Sequence, residues 1–223
     1  TGLVPQTSYT AWVRANCGGG DFSEWVSGGA FTTSCNPITS LPWNEGFEGV
    51  TVGTTVVGTS TALPNCWISQ NTKWSTTNAE TYNTANTGTT YLRFAWSTTN
   101  AFIWSPGFEL TAGVSYDFSF FAQGDGFTGW NADVFVNNTQ SSTGATQLGA
   151  TYTAPGTGTI ALQSYNKVTR TFVPSTSGVY YFAIRGNQSS GSPWYMALDD
   201  FSLDLSPSCS SPVSVSASTN ITA

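Results

Sequence analysis

Two stretches, Trp43-Asn-Glu-Gly-Phe-Glu48 and, far downstream, Leu198-Asp-Asp-Phe-Ser-Leu203, decide how this chain is organised. Between them lies a long tract rich in Thr, Ser, Gly and aromatic residues, with apolar runs of strand length. The first stretch predicts an opening strand and the second a closing strand of a β-sandwich, which brings its first and last strands together. That pairing brings Glu45 or Glu48 near Asp199 and Asp200, in a chain with few charges.

The composition favours a folded all-β protein. Charged residues make up only 8% of the 223 residues, yet aromatic residues make up 14%. Disordered chains are poor in aromatic and β-branched residues, so this chain can bury a core. Frequent Gly and Pro, without long helical periodicity, are typical of short strands joined by turns.

The charge balance excludes several classes of partner. The formal net charge is −6 and the sequence has no basic patch, which argues against nucleic acid and anionic membrane surfaces. No apolar run approaches the ~20 residues that a membrane-spanning helix needs.

The four cysteines are Cys17, Cys35, Cys66 and Cys209, and the sequence contains no histidine. None of them forms a Cys-x-x-Cys pair, so a zinc site has little support. Disulfides in an oxidising, extracellular setting are the better interpretation. The absence of histidine also removes the usual general base and every Ser-His or Cys-His nucleophile pair, which favours a non-catalytic protein.

Residues 1–36 predict two strands joined by a turn. Tyr9, Ala11 and Val13 alternate on one strand face, and the Gly-rich run after Cys17 forms the turn. Cys17 then lies near the turn and Cys35 at the far end, too distant for a disulfide, which needs a Cα separation of ~4.4–6.8 Å.

The Leu3-x-Pro5-x-x-x-Tyr9 spacing resembles the tyrosine corner of fibronectin type III domains, of which residues 1–36 match only the last two strands. Residues 207–223, with alternating Val213, Val215 and Ala217 after Cys209, resemble the first strand of another such domain. Adjoining parts of a longer protein, or neighbouring chains, would complete the two partial modules. The resemblance implies that Cys17 pairs with a cysteine before residue 1, and that neither Cys17 nor Cys209 has a partner in the central domain.

Residues 37–206 predict the main domain, and Cys35 lies just before it. In chain order, the motifs are Cys35, the Phe47-Glu48 strand, Cys66-Trp67, the Ser105-Pro106-x-Phe-x-Leu110 strand start, and the closing Asp199-Asp200-Phe-x-Leu strand. Their order resembles MAM domains and the related cleaved-adhesin domains of gingipain-type bacterial surface proteins. The resemblance implies a jelly-roll-like antiparallel β-sandwich, a Cys35–Cys66 disulfide, and display on a bacterial surface among contiguous modules of the same polypeptide.

The acidic cluster of the opening and closing strands is a candidate calcium site, because Ca²⁺ prefers carboxylate and carbonyl oxygens. The predicted ligands include Glu48 and one of Asp199 or Asp200, since adjacent strand residues point to opposite faces; Glu45 is a further candidate. The alternative is that these carboxylates accept backbone N–H groups at the sandwich rim. The related domains often carry an Asp-rich calcium loop after the Cys-Trp strand, but residues 68–77 contain no carboxylate, so we expect no calcium there.

A second candidate site would bind a sugar. Several tryptophans could form a stacking platform: Trp74, Trp96, Trp104, Trp130 and Trp194. Trp104 falls in a predicted strand and is expected in the core, whereas Trp74 and Trp130 fall in predicted loops and are the expected anchors. Asp125 and Asp133, in the Gly-rich run 124–133, would bind sugar hydroxyls or a metal, or would merely cap a turn.

These observations predict an extracellular, cell-surface module for adhesion or surface interaction, with a glycan or a host or neighbouring surface protein as partner. A carbohydrate-binding module of a secreted polysaccharide-degrading enzyme is the first alternative. A structural spacer in a surface fibre is the second.

Overall fold

In a computed structural model of the chain, the described residues are 2–5, 7–52, 63–78, 80–96, 100–188 and 194–208. They form fifteen strands and no helix. In chain order these are β1 (Ser8–Val13), β2 (Asn16–Gly18), β3 (Asp21–Phe22), β4 (Val26–Thr32), β5 (Trp43–Glu45), β6 (Ile68–Ser69), β7 (Trp74–Thr77), β8 (Tyr91–Ala95), β9 (Ala101–Leu110), β10 (Tyr116–Gln123), β11 (Trp130–Asn137), β12 (Thr146–Thr153), β13 (Asn166–Phe172), β14 (Gly178–Gln188) and β15 (Tyr195–Leu205). Across these ranges, nothing has the length and apolarity of a bilayer-spanning helix.

Two antiparallel sheets build the central sandwich. The first has the order β13-β10-β15-β8-β7, with β5 also paired to β15. The second has the order β12-β11-β14-β9-β6. The predicted all-β, antiparallel sandwich is confirmed.

Aromatic rings hold the two sheets together. Phe118 of the first sheet stacks on Phe182 of the second, with ring centroids 4.6 Å apart. Phe94 of the first sheet packs edge-on against Trp130 of the second, with ring centroids 5.7 Å apart. Such contacts stabilise a core beyond the area that they bury.

The first and last strands of the sandwich pair as predicted. In the β5–β15 ladder Glu45 lies opposite Phe201, and Trp43 lies opposite Leu203. The last strand of the sandwich, β15, is therefore paired directly with its first strand, β5.

The Cys35–Cys66 disulfide is confirmed, with a Cα–Cα distance of 5.9 Å. Cys35 follows β4 by three residues, and Cys66 lies just before β6. The absence of a Cys17–Cys35 bond is confirmed too, and Cys17 is an exposed free cysteine.

Residues before Cys35 form two separate two-stranded sheets, β1 with β4 and β2 with β3. In β1 and β4, Tyr9 lies opposite Phe31 with ring centroids 6.0 Å apart. The Val4 N–H donates a 2.8 Å hydrogen bond to the Tyr9 hydroxyl, as in a tyrosine corner. The assignment of residues 1–36 and 207–223 to partial type III modules stays a prediction, and Cys209 with the remainder of 209–223 lies outside the described residues.

Candidate binding site

Glu48 closes one side of the candidate calcium site. It follows the β5 strand and accepts backbone hydrogen bonds from Thr89 at 2.9 Å and Thr90 at 2.8 Å. The Thr89 hydroxyl donates to its second oxygen at 3.1 Å. These donors, the backbone N–H groups of Thr90 and Thr89 first, lower the pKa of the Glu48 carboxyl.

Asp199 and Asp200 bind the same loop at Asn86 and Thr87, just before the residues that Glu48 binds. Asp199 accepts the backbone N–H groups of Asn86 at 2.8 Å and Thr87 at 3.3 Å. Asp200 accepts the Asn86 side-chain amide at 2.7 Å and the Thr87 hydroxyl at 2.6 Å. We call Glu48, Asp199 and Asp200 the carboxylate latch, because all three bind the 86–90 segment.

The expectation that only one of Asp199 and Asp200 reaches this site is wrong. The β10–β15 register shifts across this point, and Asp200 has a φ of 48°. The bulge turns both carboxylates toward one loop, as bulges do when they redirect a side chain. Asp199 is fully buried, whereas Asp200 is half-buried.

Glu45 does not join the latch. Its carboxylate accepts the backbone N–H of Phe47 at 2.7 Å, and burial raises its pKa despite that bond. Within the described residues, no group of three or more acidic or cysteine side chains is arranged to hold a metal ion. The carboxylate latch is satisfied by loop donors and does not form a calcium cage as it stands, so calcium remains a prediction.

Burial governs the charge of Asp199. Desolvation raises the pKa of its carboxyl to about 6, and the neighbouring charge of Asp200 adds to the rise. Backbone donors from Asp200, Asn86 and Thr87 counter part of that effect.

The expected sugar anchors Trp74 and Trp130 are core residues, so the prediction that their rings are exposed in loops is wrong. Trp74 begins β7 and donates its indole N–H to the Ala101 carbonyl at 3.0 Å. Trp130 begins β11 and packs edge-on against Phe94 at 5.7 Å. A polar segment, 70–73, precedes β7, and the Gly-rich segment 124–129 precedes β11, so the sequence does not show that each tryptophan is already the first residue of its strand. Trp104 is buried as predicted.

Asp125 is fully buried beneath one rim of the sandwich. One carboxylate oxygen accepts the Trp130 indole N–H at 2.7 Å and the Phe127 backbone N–H at 3.1 Å. The other accepts the Trp194 backbone N–H at 2.7 Å and the Tyr195 backbone N–H at 3.3 Å. Asp125 therefore positions the start of β15 and does not face a ligand.

Asp133 lies elsewhere, on the outer face of β11. It forms a bidentate ion pair with Arg185, at 3.0 Å to Nε and 2.7 Å to Nη2, and accepts the Gln147 amide at 3.1 Å. The structure thus does not bring Asp125 and Asp133 together, and neither is free to bind a metal or a sugar.

The exposed aromatic site of the sandwich consists of Trp96 and Trp194, which we call the tryptophan rim. The β8–β15 ladder ends with Ala95 opposite Tyr195, and the Trp96 N–H donates to the Trp194 carbonyl at 3.2 Å, which continues the pairing by one residue. The two side chains are 39% and 51% exposed. Strand alternation puts them on the core side of the sheet, one step beyond the buried Phe94 and Met196 pair.

Comparison with known proteins supports the fold assignment. No family model matches the sequence, and no curated protein matches it. Among solved structures, the K1 cleaved adhesin domain of Lys-gingipain from Porphyromonas gingivalis W83 matches with a TM-score of 0.54 and 16% identity, over 75% of this chain and 100% of that chain. The K2 cleaved adhesin domain of Lys-gingipain matches with a TM-score of 0.51 and 18% identity, over 74% and 99%. At these identities the matches show the fold alone, and the central sandwich has the cleaved-adhesin fold.

Proposed function

We propose that this chain is a non-catalytic, extracellular interaction module whose central sandwich binds a glycan at the tryptophan rim. The observation that carries the proposal is the directly opposed pair, Trp96 and Trp194, with rings 39% and 51% exposed. The other tryptophans of the sandwich are buried or half-buried, so these two are the rings that a ligand can reach in its described part.

The chemistry of the rim suits a sugar. An indole face packs against the apolar face of a pyranose ring, and large exposed aromatic surface on a soluble protein usually marks a binding site. In the sequence, Ser-Thr-Thr-Asn at 97–100 directly follows Trp96, and Ser189, Ser190 and Ser192 lie within five residues before Trp194. Such groups hydrogen-bond sugar edges.

Asp125 supports binding by fixing the rim in advance. Its two oxygens tie the backbone of Trp194 to the loop that precedes β11, through bonds of 2.7–3.3 Å. A ring whose backbone is already held loses less conformational freedom when a ligand binds, which favours affinity.

Two observations support a non-catalytic extracellular role. The sequence has no histidine, and the buried carboxylates Asp125, Asp133 and Asp199 are each engaged by several donors. The Cys35–Cys66 disulfide suits an oxidising compartment.

The experiment is a glycan array with the intact chain, followed by titration of the best ligand. We expect Trp96→Ala and Trp194→Ala each to weaken binding about tenfold, since about 1.4 kcal/mol of lost ring contact corresponds to that factor. Trp25→Ala is the matched control, because Trp25 is 55% exposed but lies outside the sandwich, between β3 and β4.

Equal losses of glycan affinity in all three variants would indicate non-specific binding to exposed aromatic side chains rather than binding at the tryptophan rim. Absence of any glycan ligand, with the fold intact, would favour the alternative of a structural spacer.

A further inference from the structure

A cavity of about 270 Å³ opens at one end of the central sandwich. The connection between β11 and β12 forms one wall of it, and the connection between β13 and β14 forms the other. We call this space, between residues 136–146 and residues 172–180, the end cavity.

The end cavity lies at the far end of the sandwich from the tryptophan rim. Trp194 precedes the first residue of β15, whereas Phe172, beside the cavity, shares a row of the first sheet with Tyr116 and Leu205, the last residue of β15. Since β15 has 11 residues, at ~3.3 Å per residue the two sites are on the order of 30 Å apart.

Buried apolar side chains line the inner part of the end cavity. Val136 and Tyr180 are 4% and 6% exposed, and Phe172 packs edge-on against Tyr180 with ring centroids 5.1 Å apart. Phe172 belongs to the first sheet and the other two residues to the second, so the cavity opens between the sheets. Apolar and aromatic side chains of this kind pack against the apolar face of a sugar ring.

The mouth of the end cavity carries short, neutral polar side chains. Asn138 and Thr146 lie on one wall, Ser175 and Thr176 lie on the other, and all four are exposed. Among the described residues that line the cavity, none is charged. A charged ligand would lose hydration there without gaining an ion partner, whereas the hydroxyls of a neutral sugar match these amide and hydroxyl groups.

Hydrogen bonds hold both walls in place before any ligand arrives. The Asn138 side-chain amide donates to the Val179 carbonyl at 3.2 Å and so joins one wall to the other. The Asn137 amide donates to two carbonyls of its own connection, at 2.8 and 3.0 Å, and the Tyr180 hydroxyl donates to the Thr176 carbonyl at 2.8 Å. A cavity whose walls are already fixed loses little conformational freedom on binding, which favours affinity.

We propose that the end cavity binds one ring of a neutral sugar and is a second glycan site, separate from the tryptophan rim. Its volume of about 270 Å³ lies just below the ~300–1,000 Å³ of pockets for drug-sized ligands, so it suits a single ring and not an extended oligosaccharide. The two sites share no residue, so this proposal does not depend on binding at the rim.

Two sites at opposite ends would make the module bivalent. A short oligosaccharide cannot reach both across a distance on the order of 30 Å, at ~3.3 Å for each of the 11 residues of β15. The module would therefore bridge two glycan chains, or two points of one long chain, and gain avidity from the pair of sites.

The test is an amide NMR titration of the full-length chain with the methyl glycosides of glucose, galactose, mannose and xylose, each added alone. We expect at least one of them to shift the amide signals of Gly144, Thr146, Ser175 and Thr176, because a ring in the end cavity changes their surroundings. The same shifts should persist in Trp96→Ala, which weakens the rim, so failure at one site is distinguishable from failure at the other.

Two blocking variants, Thr146→Trp and Ser175→Trp, fill the mouth from opposite walls. Each should weaken binding at the end cavity about tenfold or more, because the added ring takes the space of the sugar. Ser142→Trp is the matched control, since Ser142 is exposed in the β11–β12 connection but is not among the residues that line the cavity, and it should bind as the wild type does.

The charge of the ligand gives a further readout. Methyl glucuronide, which carries a carboxylate, should shift the cavity amides less than methyl glucoside does. Larger shifts from the glucuronide would overturn the assignment to neutral sugars. An absence of shifts at the cavity with all four neutral glycosides would overturn the site itself, and so would shifts that stay unchanged in both blocking variants.

Discussion

Asp199 makes the protein less stable as the pH rises, because its pKa is raised on folding. Its folded-state pKa is raised to about 6, from 3.8 in the unfolded chain. The folded state therefore binds the proton more tightly, and the resulting stabilisation is full below the lower value and is lost as pH rises through about 6. Raised pKa values at Glu45 and Glu80 act in the same direction, whereas the lowered pKa of Glu48 acts in the opposite one.

We expect the unfolding free energy to fall between pH 4 and pH 7 by an amount on the order of 2 kcal/mol for Asp199, at about 1.4 kcal/mol per pKa unit. Urea titrations at a series of pH values measure it. Asp199→Asn, which cannot ionise, should flatten the profile in this window. A wild-type profile that rises from pH 4 to pH 7 would contradict the raised pKa.

For single residues, the sequence predicts the chemical role of a side chain better than its solvent exposure. The acids that meet at the carboxylate latch were foreseen, because their motifs mark the first and last strands. Trp74 and Trp130 were misplaced because the polar residues around each conceal where its strand begins. The sequence offers Trp96 and Trp194 among five possible sugar-stacking tryptophans but does not single them out. Only the β8–β15 register shows that they lie opposite each other beyond the core.

Among the elements, the Cys35–Cys66 disulfide joins the segment after β4 to the start of β6. The two cysteines are 31 positions apart, and closing a loop of that length removes entropy from the unfolded chain worth about 3–4 kcal/mol. We expect the paired substitution Cys35→Ser and Cys66→Ser to lower the unfolding free energy by about that much.

Denaturant titration of the oxidised wild type, the reduced wild type and the double variant measures this effect. The reduced wild type should match the double variant, because both lack the cross-link. A double variant as stable as the oxidised protein would mean that the loop is already held by the core.

The pairing of elements was predictable where a motif fixed both partners and unpredictable where local geometry intervened. The β5–β15 ladder followed from the two flanking motifs, and the disulfide followed from the order of cysteines in the related domains. The bulge at Asp200 did not, because a positive φ in a non-glycine residue depends on the loop that its carboxylate binds.

At the scale of the whole molecule, the carboxylate latch is where the start of the sandwich, its last strand and the 86–90 segment meet. The β5–β15 ladder spans only three residue pairs, and the bonds of the latch add to it. The sequence predicts that a calcium ion reinforces the junction. The hydrogen bonds offer the alternative that loop donors alone hold it.

Melting the full-length chain in calcium and in a chelator separates these two possibilities. A bound ion stabilises the folded state by mass action, and its removal would lower the melting temperature by several degrees, an effect that Asp200→Asn should abolish. Donors alone give the same melting temperature in both buffers.

Each latch oxygen already accepts an N–H or O–H, at 2.6–3.3 Å for the bonds to Asn86 and Thr87. We therefore expect the same melting temperature in calcium and in chelator. Glu109→Gln is the control for a non-specific effect of calcium on charge, since Glu109 is exposed and its loss removes one negative charge, as Asp200→Asn does, but leaves every latch carboxylate in place. If calcium raises the melting temperature of both variants, the ion binds away from the junction. If calcium no longer raises the melting temperature of Asp200→Asn alone, the ion binds at the junction.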